Sequence, residues 1–298
     1  MRIIVAGGTG FIGKALVQAL SGAGHEILLL QRPGSRSQST ETGGFEVVRG
    51  DPEKPLSLGQ MEGDAVINLV GIIREFPSAG VTFHGAHCLV TKNLVDYARR
   101  AGIKRFLQMS ALGVRPNAKT KYLLTKYEAE QYVKESGLEW TIFRPSVVFG
   151  PGSHLVRLLS NMITRLPVVP VIGDGKYKLQ PVHVTDICAG FHKSLDDSGA
   201  IGRTYDIGGP EIMTYDRILD IIGEALAKRK VVKLHQPVWL LRPMASVLGR
   251  FRWFPFTNEQ VTMLLEDNYT EDKSYFEHFG IARTEFGVGL RQEIEQAT

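Results

Sequence analysis

Apolar positions in the first half of the chain come in short runs separated by stretches of helical period. The runs Ile3–Ala6, Glu26–Leu30, Phe45–Val48, Ala65–Val70, Arg105–Met109 and Thr141–Arg144 are of strand length and predict strands. Between several of them the spacing becomes that of amphipathic helices, over Ile12–Ser21, Thr91–Ala101 and Tyr122–Ser136, the last closed by Ser136-Gly137 as a glycine stop. Strands alternating with helices need crossover connections, which are right-handed. The pattern therefore predicts an α/β fold with a doubly wound parallel sheet.

Beyond Gly150-Pro151-Gly152 the rhythm changes. Leu155–Leu166 predicts a helix, a proline-rich stretch Pro167–Pro170 follows, and strand-like runs at Gln180–Val184 and Arg203–Ile207 bracket a helix over Asp186–Leu195. The expected division is 1–152 for the parallel-sheet domain and 153–298 for a smaller mixed α/β lobe that returns elements to the main sheet. Ser35–Gly44 is polar and reads as a loop.

Composition narrows the class without choosing a function. The 298 residues are 43% hydrophobic and 22% charged, the balance of a soluble globular chain with ample core. The two cysteines, Cys88 and Cys188, are far apart and lack CxxC spacing, so neither a disulfide framework nor a metal site is expected. A reducing, cytoplasmic setting is the corresponding expectation. No apolar run approaches the ~20 residues of a membrane-spanning helix, and a strand pattern at the very start leaves no room for a signal peptide. The net charge of +4 is mild, and no nucleic-acid module is visible, so nucleic acid is not an expected partner.

The chemistry begins at Gly7, Gly10 and Gly13, which follow a strand and open an amphipathic helix. Glycine permits the tight turn, lets the backbone approach a pyrophosphate, and lets helix and strand pack closely. The helix N-terminus then offers free N–H groups and partial positive charge to phosphates. Gly7, Thr9, Gly10, Phe11, Ile12 and Gly13 are thus the expected dinucleotide-binding loop. The second strand ends at Gln31-Arg32, where an NAD site usually carries a carboxylate for the ribose hydroxyl. Arg32 and Arg36 suit a 2′-phosphate instead, so NADP(H) is the expected cofactor and NAD(H) the alternative. Asp51 reads either as an acceptor for the adenine amine or as a turn residue before Pro52.

Tyr122 and Lys126 share one helix face, and Ser110 ends the strand before that helix. A tyrosine exchanges protons near neutral pH when a nearby ammonium lowers its pKa, and a serine hydroxyl can orient a substrate carbonyl. These three are the catalytic candidates.

Taken together, the glycine loop, Asn68-Leu69-Val70-Gly71, Ser110, Tyr122/Lys126, Arg144-Pro145-Ser146-Val147-Val148-Phe149-Gly150-Pro151, Gln180–Ile187 and Tyr205–Glu211 resemble the extended short-chain dehydrogenase/reductases, the NAD-dependent epimerase/dehydratase family. Met109–Gly113, Trp140–Pro145 and Thr257–Val261 are most similar to the atypical group that contains the NAD(P)-binding accessory subunit of respiratory complex I. The resemblance implies a Rossmann sheet that binds NADP(H), with Tyr122 and Lys126 beside the nicotinamide ribose. It also implies that Leu69, Val70 and Gly71 lie along the cofactor and that Pro145 and Val148 line the nicotinamide pocket. His87 stands where that family's active set has an asparagine. Asn93, later on the same helix, is not assumed to replace it, and His87 itself reads as a helix-face residue.

Two functions follow as expectations. One is an NADP-dependent oxidoreductase or epimerase/dehydratase acting on a small carbonyl or hydroxyl compound. The other is a non-catalytic NADP(H)-holding structural or assembly protein, in quinone- or lipid-linked metabolism. His183 reads as a structural histidine ahead of Asp186. From Lys228 to Asn258 the chain has no acidic residue, and Lys, Arg and aromatic side chains alternate. That stretch offers a surface for anionic lipid at a membrane periphery or for a partner protein. The alternative is a helix burying its apolar stripe while basic residues face water.

Overall fold

The computed structural model describes residues 1–33, 45–56, 61–227, 230–240, 242–243 and 256–297. In order come β1 (Arg2–Ala6), α1 (Phe11–Gly22), β2 (Glu26–Gln31), β3 (Glu46–Arg49) and β4 (Ala65–Asn68). A π-helical turn at His84–Leu89 runs into α2 (Val90–Ala101), followed by β5 (Arg105–Met109), α3 (Lys121–Lys134) and β6 (Glu139–Pro145). Next come β7 (Val148–Phe149), α4 (His154–Arg165), β8 (Val169–Ile172), β9 (Lys178–Leu179), β10 (Val182–His183), α5 (Val184–Ser194) and β11 (Arg203–Ile207). The chain continues through β12 (Met213–Thr214), α6 (Tyr215–Ala225) and β13 (Lys233–Gln236) to helices at Asn258–Leu265, Ser274–Phe279 and Phe286–Ala297.

The main sheet has seven strands in the order β11-β6-β5-β4-β1-β2-β3, and parallel ladders join β3 through β6. This is the doubly wound arrangement that the strand–helix alternation predicts. Strand order reverses between β1 and β4, the place where such sheets open a crevice at their carboxyl ends.

The chain forms two compact units. One comprises 1–144, 187–206 and 274–281; the other comprises 145–186, 207–273 and 282–298. In the first, Ile4, Leu28, Val66 and Phe106 of the sheet pack on Val90, Leu94, Val95 and Ala98 of α2, all buried. Each such side chain, fully buried, contributes about 1.5–3 kcal/mol. In the second, Leu159 and Ile163 of α4 and Ile218, Leu219 and Ile222 of α6 close over Phe149, Val171 and Leu179. Its strands are short pairs, β7 with β10, β9 with β12 and β8 with β13.

Four elements differ from their sequence expectation, each for a local reason. β4 stops at Asn68 rather than Val70 because the Asn68 side chain accepts the Val70 N–H at 3.1 Å and turns the chain. The expected strand Gln180–Val184 shrinks to β10, since Pro181 has no N–H for a ladder and Val184 opens α5. Pro167–Pro170 leads into β8, with Pro170 opposite Leu234 in a two-stranded pair. Finally, helical structure ahead of α2 starts at His84, where His84, Gly85 and His87 hide the apolar rhythm.

Of the basic, aromatic stretch 228–258, residues 228–229, 241 and 244–255 lie outside the described residues. Within the rest, Val232, Leu234, Trp239 and Leu240 are exposed, Trp239 at 74%. These side chains do not form the buried stripe of the alternative reading. Among the described residues, no helix is long and apolar enough to cross a membrane.

Candidate functional site

The turn from β1 into α1 is built around missing side chains. Gly7 has φ +83°, and a Cβ there would lie 2.9 Å from the Leu69 carbonyl carbon and the Val70 nitrogen. A Cβ on Gly13 would lie 2.2 Å from the Gly7 oxygen, so no other residue fits without moving the loop. Gly10 places its N–H on the Gly7 oxygen at 3.0 Å and is the N-cap of α1, with no side-chain cap and no acidic residue in the first turn. The N–H groups at Phe11, Ile12 and Gly13 are therefore left for an anion. Thr9 is half-buried on the same loop. A cradle sealed by glycines and lined by unsatisfied N–H groups fits the pyrophosphate of a dinucleotide. Gly8, which the three-glycine spacing passes over, is equally constrained, with its Cβ position 2.3 Å from Leu29 Cδ1.

At the end of β2, Gln31 is buried and Arg32 is not free. Arg32 Nη2 donates to Glu53, and Arg32 Nε lies 3.5 Å from Asp51 Oδ1. Asp51 also accepts the Glu53 N–H at 3.1 Å, as a turn residue does. Both partners of the arginine come from the loop after β3, which sequence reading of β2 cannot see. Exposed pairs of this kind contribute about 0–1 kcal/mol, so a phosphate can compete for the guanidinium. Arg36 lies outside the described residues.

Leu69, Val70 and Gly71 follow β4. Asn68 anchors them, donating from Nδ2 to Thr91 Oγ1 and Gln108 Oε1 at 3.0 Å each. Here the Tyr–Lys face of α3 arrives. Lys126 is buried, and its Nζ donates to the Met109 carbonyl at the end of β5 at 3.2 Å. A Cβ on Gly71 would lie 3.1 Å from that ammonium and 3.8 Å from His87 Nε2. Burial lowers Lys126 to about 8, against the opposing pull of Glu130 and Cys88. Tyr122 is half-buried, edge-on to His87 and Phe83 at 5.3 and 5.8 Å. Burial pushes its phenol up to about 12. The tyrosine is thus a held proton, the reverse of the acidified group that its spacing from Lys126 suggests.

His87 is a buried member of this cluster and not an outward helix-face residue. Its Nε2 accepts the Ile72 N–H at 3.3 Å, and its Nδ1 meets Thr125 Oγ1 at 2.9 Å. Thr125 spends its own proton on the carbonyls of Lys121 and Tyr122, so the imidazole is the neutral tautomer with its hydrogen on Nδ1. Burial, and then the Lys126 charge, lower it to about 2. The unfolded chain takes up a proton here below about pH 6.5 while the folded chain refuses it. Stability from this group is therefore complete above that pH and falls by about 1.4 kcal/mol per unit below it. Urea midpoints measured from pH 7 to pH 5 should show a shallower decline in His87→Asn than in the parent. Parallel declines would contradict the assignment. Asn93, by contrast, donates to the Pro52 carbonyl at 2.9 Å.

Ser110 Oγ donates to Glu130 Oε1 at 2.5 Å. Glu130 is buried and holds Arg144 through two bonds, Nε at 2.8 Å and Nη2 at 2.6 Å. The serine proton is committed to a carboxylate, which leaves its oxygen able to accept but not to donate. Glu130 is the residue that sequence reading missed; its signal was a carboxylate one turn beyond Lys126 on the same helix face.

Pro145 closes β6 and is buried; Val148 is half-buried in β7, paired with Val182. His183 is buried with Nδ1 2.6 Å from Thr185 Oγ1, and burial lowers its pKa, in keeping with a structural role.

The model of the NAD dependent epimerase/dehydratase family matches residues 3–208, and this chain belongs to that family. It is 30% identical over 244 residues to the Arabidopsis thaliana protein NADH dehydrogenase [ubiquinone] 1 alpha subcomplex subunit 9, mitochondrial, with 78% of this chain and 60% of that one matched. It is 29% identical over 251 residues to pinoresinol reductase 1 of the same plant, covering 78% and 76% of the two chains. The solved structure of MoeE5 in complex with UDP-glucose and NAD superimposes with a TM-score of 0.78 at 19% identity, over 100% of this chain and 98% of that one, and so shares the fold. The chain spans less than two thirds of the complex I relative. Its family membership carries nicotinamide dinucleotide binding.

Proposed function

We propose that this protein binds NADP(H) and reduces a small carbonyl compound, with Tyr122 as the proton donor. The observation that carries this is the buried Lys126 ammonium at the ends of β4 and β5, on the α3 face that also bears Tyr122. Dinucleotides lie across the strand ends at this switch point, so the ammonium and the Gly71 opening suit a nicotinamide ribose. When bound, the nicotinamide supplies hydride. The protein supplies the proton. A phenol raised to about 12 keeps its proton at neutral pH and can give it to a developing alkoxide, which is the stronger base. Ser110, its hydrogen turned to Glu130, accepts from a substrate hydroxyl and leaves donation to Tyr122.

NADP(H) is favoured by the missing carboxylate at Gln31 and by an arginine that exchanges Glu53 for a phosphate. Arg32→Ala is expected to weaken NADPH binding about 10–100-fold, the effect of a charged hydrogen bond, and to leave NADH binding unchanged. Glu53→Gln should shift preference further towards NADPH by releasing Arg32. Equal losses for both nucleotides in Arg32→Ala would assign the arginine a structural role.

The second reading is a subunit that holds the cofactor without turnover, docked on a larger assembly. Ser110's engagement with Glu130 and the likeness to a complex I subunit favour it. NADPH titration followed by hydride transfer to ketones, quinones and nucleotide sugars separates the two. Binding without transfer to any class favours the subunit, and absence of binding overturns both.

A further inference from the structure

Apart from the residues assigned above, one group of metal-ligating side chains among the described residues stands at the His84–Leu89 turn. His84 and Cys88 project from that turn, and Glu128 projects from α3 beside it. One ligand atom from each lies within 4.8 Å of the other two, and Cys88 Sγ is 3.3 Å from Glu128 Oε2. We propose that His84, Cys88 and Glu128 bind a zinc ion that fastens the π-helical turn to α3.

The geometry is close to what zinc asks for. Bond lengths of about 2.3 Å to sulfur and 2.0–2.2 Å to nitrogen or oxygen put tetrahedral ligands about 3.3–3.7 Å apart, the longer values for pairs that include sulfur. The sulfur–carboxylate edge, at 3.3 Å, is within a few tenths of an ångström of that length. His84 and Glu128 are exposed and Cys88 half-buried, so the remaining edges, no longer than 4.8 Å, have room to close by side-chain rotation. Donor chemistry selects the ion. A thiolate with an imidazole and one carboxylate is a borderline-soft set that suits zinc, whereas magnesium and calcium take oxygen ligands. On binding, the Cys88 thiol releases its proton to solvent. Thiolate and carboxylate then balance the two positive charges, and water takes the fourth position.

The turn carries His87, and α3 carries Tyr122 and Lys126, so the ion would brace the cluster from outside without touching it. This inference does not rest on the reductase reading, and its test reads binding alone. Full-length protein, stripped with chelator and kept reduced, is titrated with Co(II) as a spectroscopic stand-in. One equivalent per chain should raise a thiolate-to-cobalt charge-transfer band, and Zn(II) should displace it. Cys88→Ser should abolish the band and Cys188→Ser should keep it. His84→Gln and Glu128→Gln, both at exposed positions, should each weaken Zn(II) binding by about tenfold or more. No band in the parent, a band that survives Cys88→Ser, or unchanged affinity in both exposed variants would overturn the site.

Discussion

Under the proposed function, Tyr122→Phe is expected to turn over a carbonyl substrate about 10²–10⁴-fold more slowly than the parent while binding NADPH with nearly the same affinity. The magnitude is that of losing a positioned general acid. The variant is clean because the change removes one oxygen and leaves the ring against Phe83 and His87. Among the described residues the phenol makes no hydrogen bond, so its loss leaves no partner stranded. Parallel steady-state kinetics and NADPH fluorescence titration are the measurements. Unchanged turnover would remove Tyr122 from the chemistry, and lost NADPH affinity would make it a cofactor ligand only.

Glu130→Ala is expected to lower stability by about 3–5 kcal/mol, the cost of leaving a buried charge without its partner. Glu130 is 1% exposed and its bidentate partner Arg144 only 18%. Without Glu130, Arg144 keeps Asp206 at 3.6 Å, and Ser110 loses its acceptor. Lys134, at 3.7 Å, is too exposed to have contributed much. The companion variant Glu130→Leu/Arg144→Met should recover most of the loss, because removing both charges removes the desolvation problem. Urea unfolding of the three proteins reads this directly. A single-variant loss under about 1 kcal/mol would mean that water reaches the pair.

Sequence reading succeeded where the cause of a feature is local. Gly13 is forced by contacts within one turn and Gly7 by the positive φ of that turn, so their spacing announced the tight strand-to-helix connection. Tyr122 and Lys126 share a face through helical period alone, and the sheet follows from strand–helix alternation. It fell short where the cause is distant in the chain. Arg32 is held by Glu53, which arrives on another loop. Tyr122 was expected to be acidified by its neighbour, but burial moves it the other way, and burial is a property of the folded surroundings. Ser110 read as a substrate donor because nothing near it in sequence shows that Glu130 takes its proton. His87 read as a helix-face residue, and its burial was hidden because His84 and Gly85 interrupt the apolar period just where the helix takes its π-helical register.

That turn also bears on descent. A π-helical turn is an α-helix with one residue too many, and the surplus sets the phase of everything ahead of it. Losing a single residue between His84 and Leu89 would restore α register and swing the preceding side chains by about 100° relative to α2. The helix would survive, but His87 or its neighbours would no longer face Thr125 and Gly71. The gain or loss of one codon is thus enough for a lineage to acquire or discard this histidine cluster while keeping its fold.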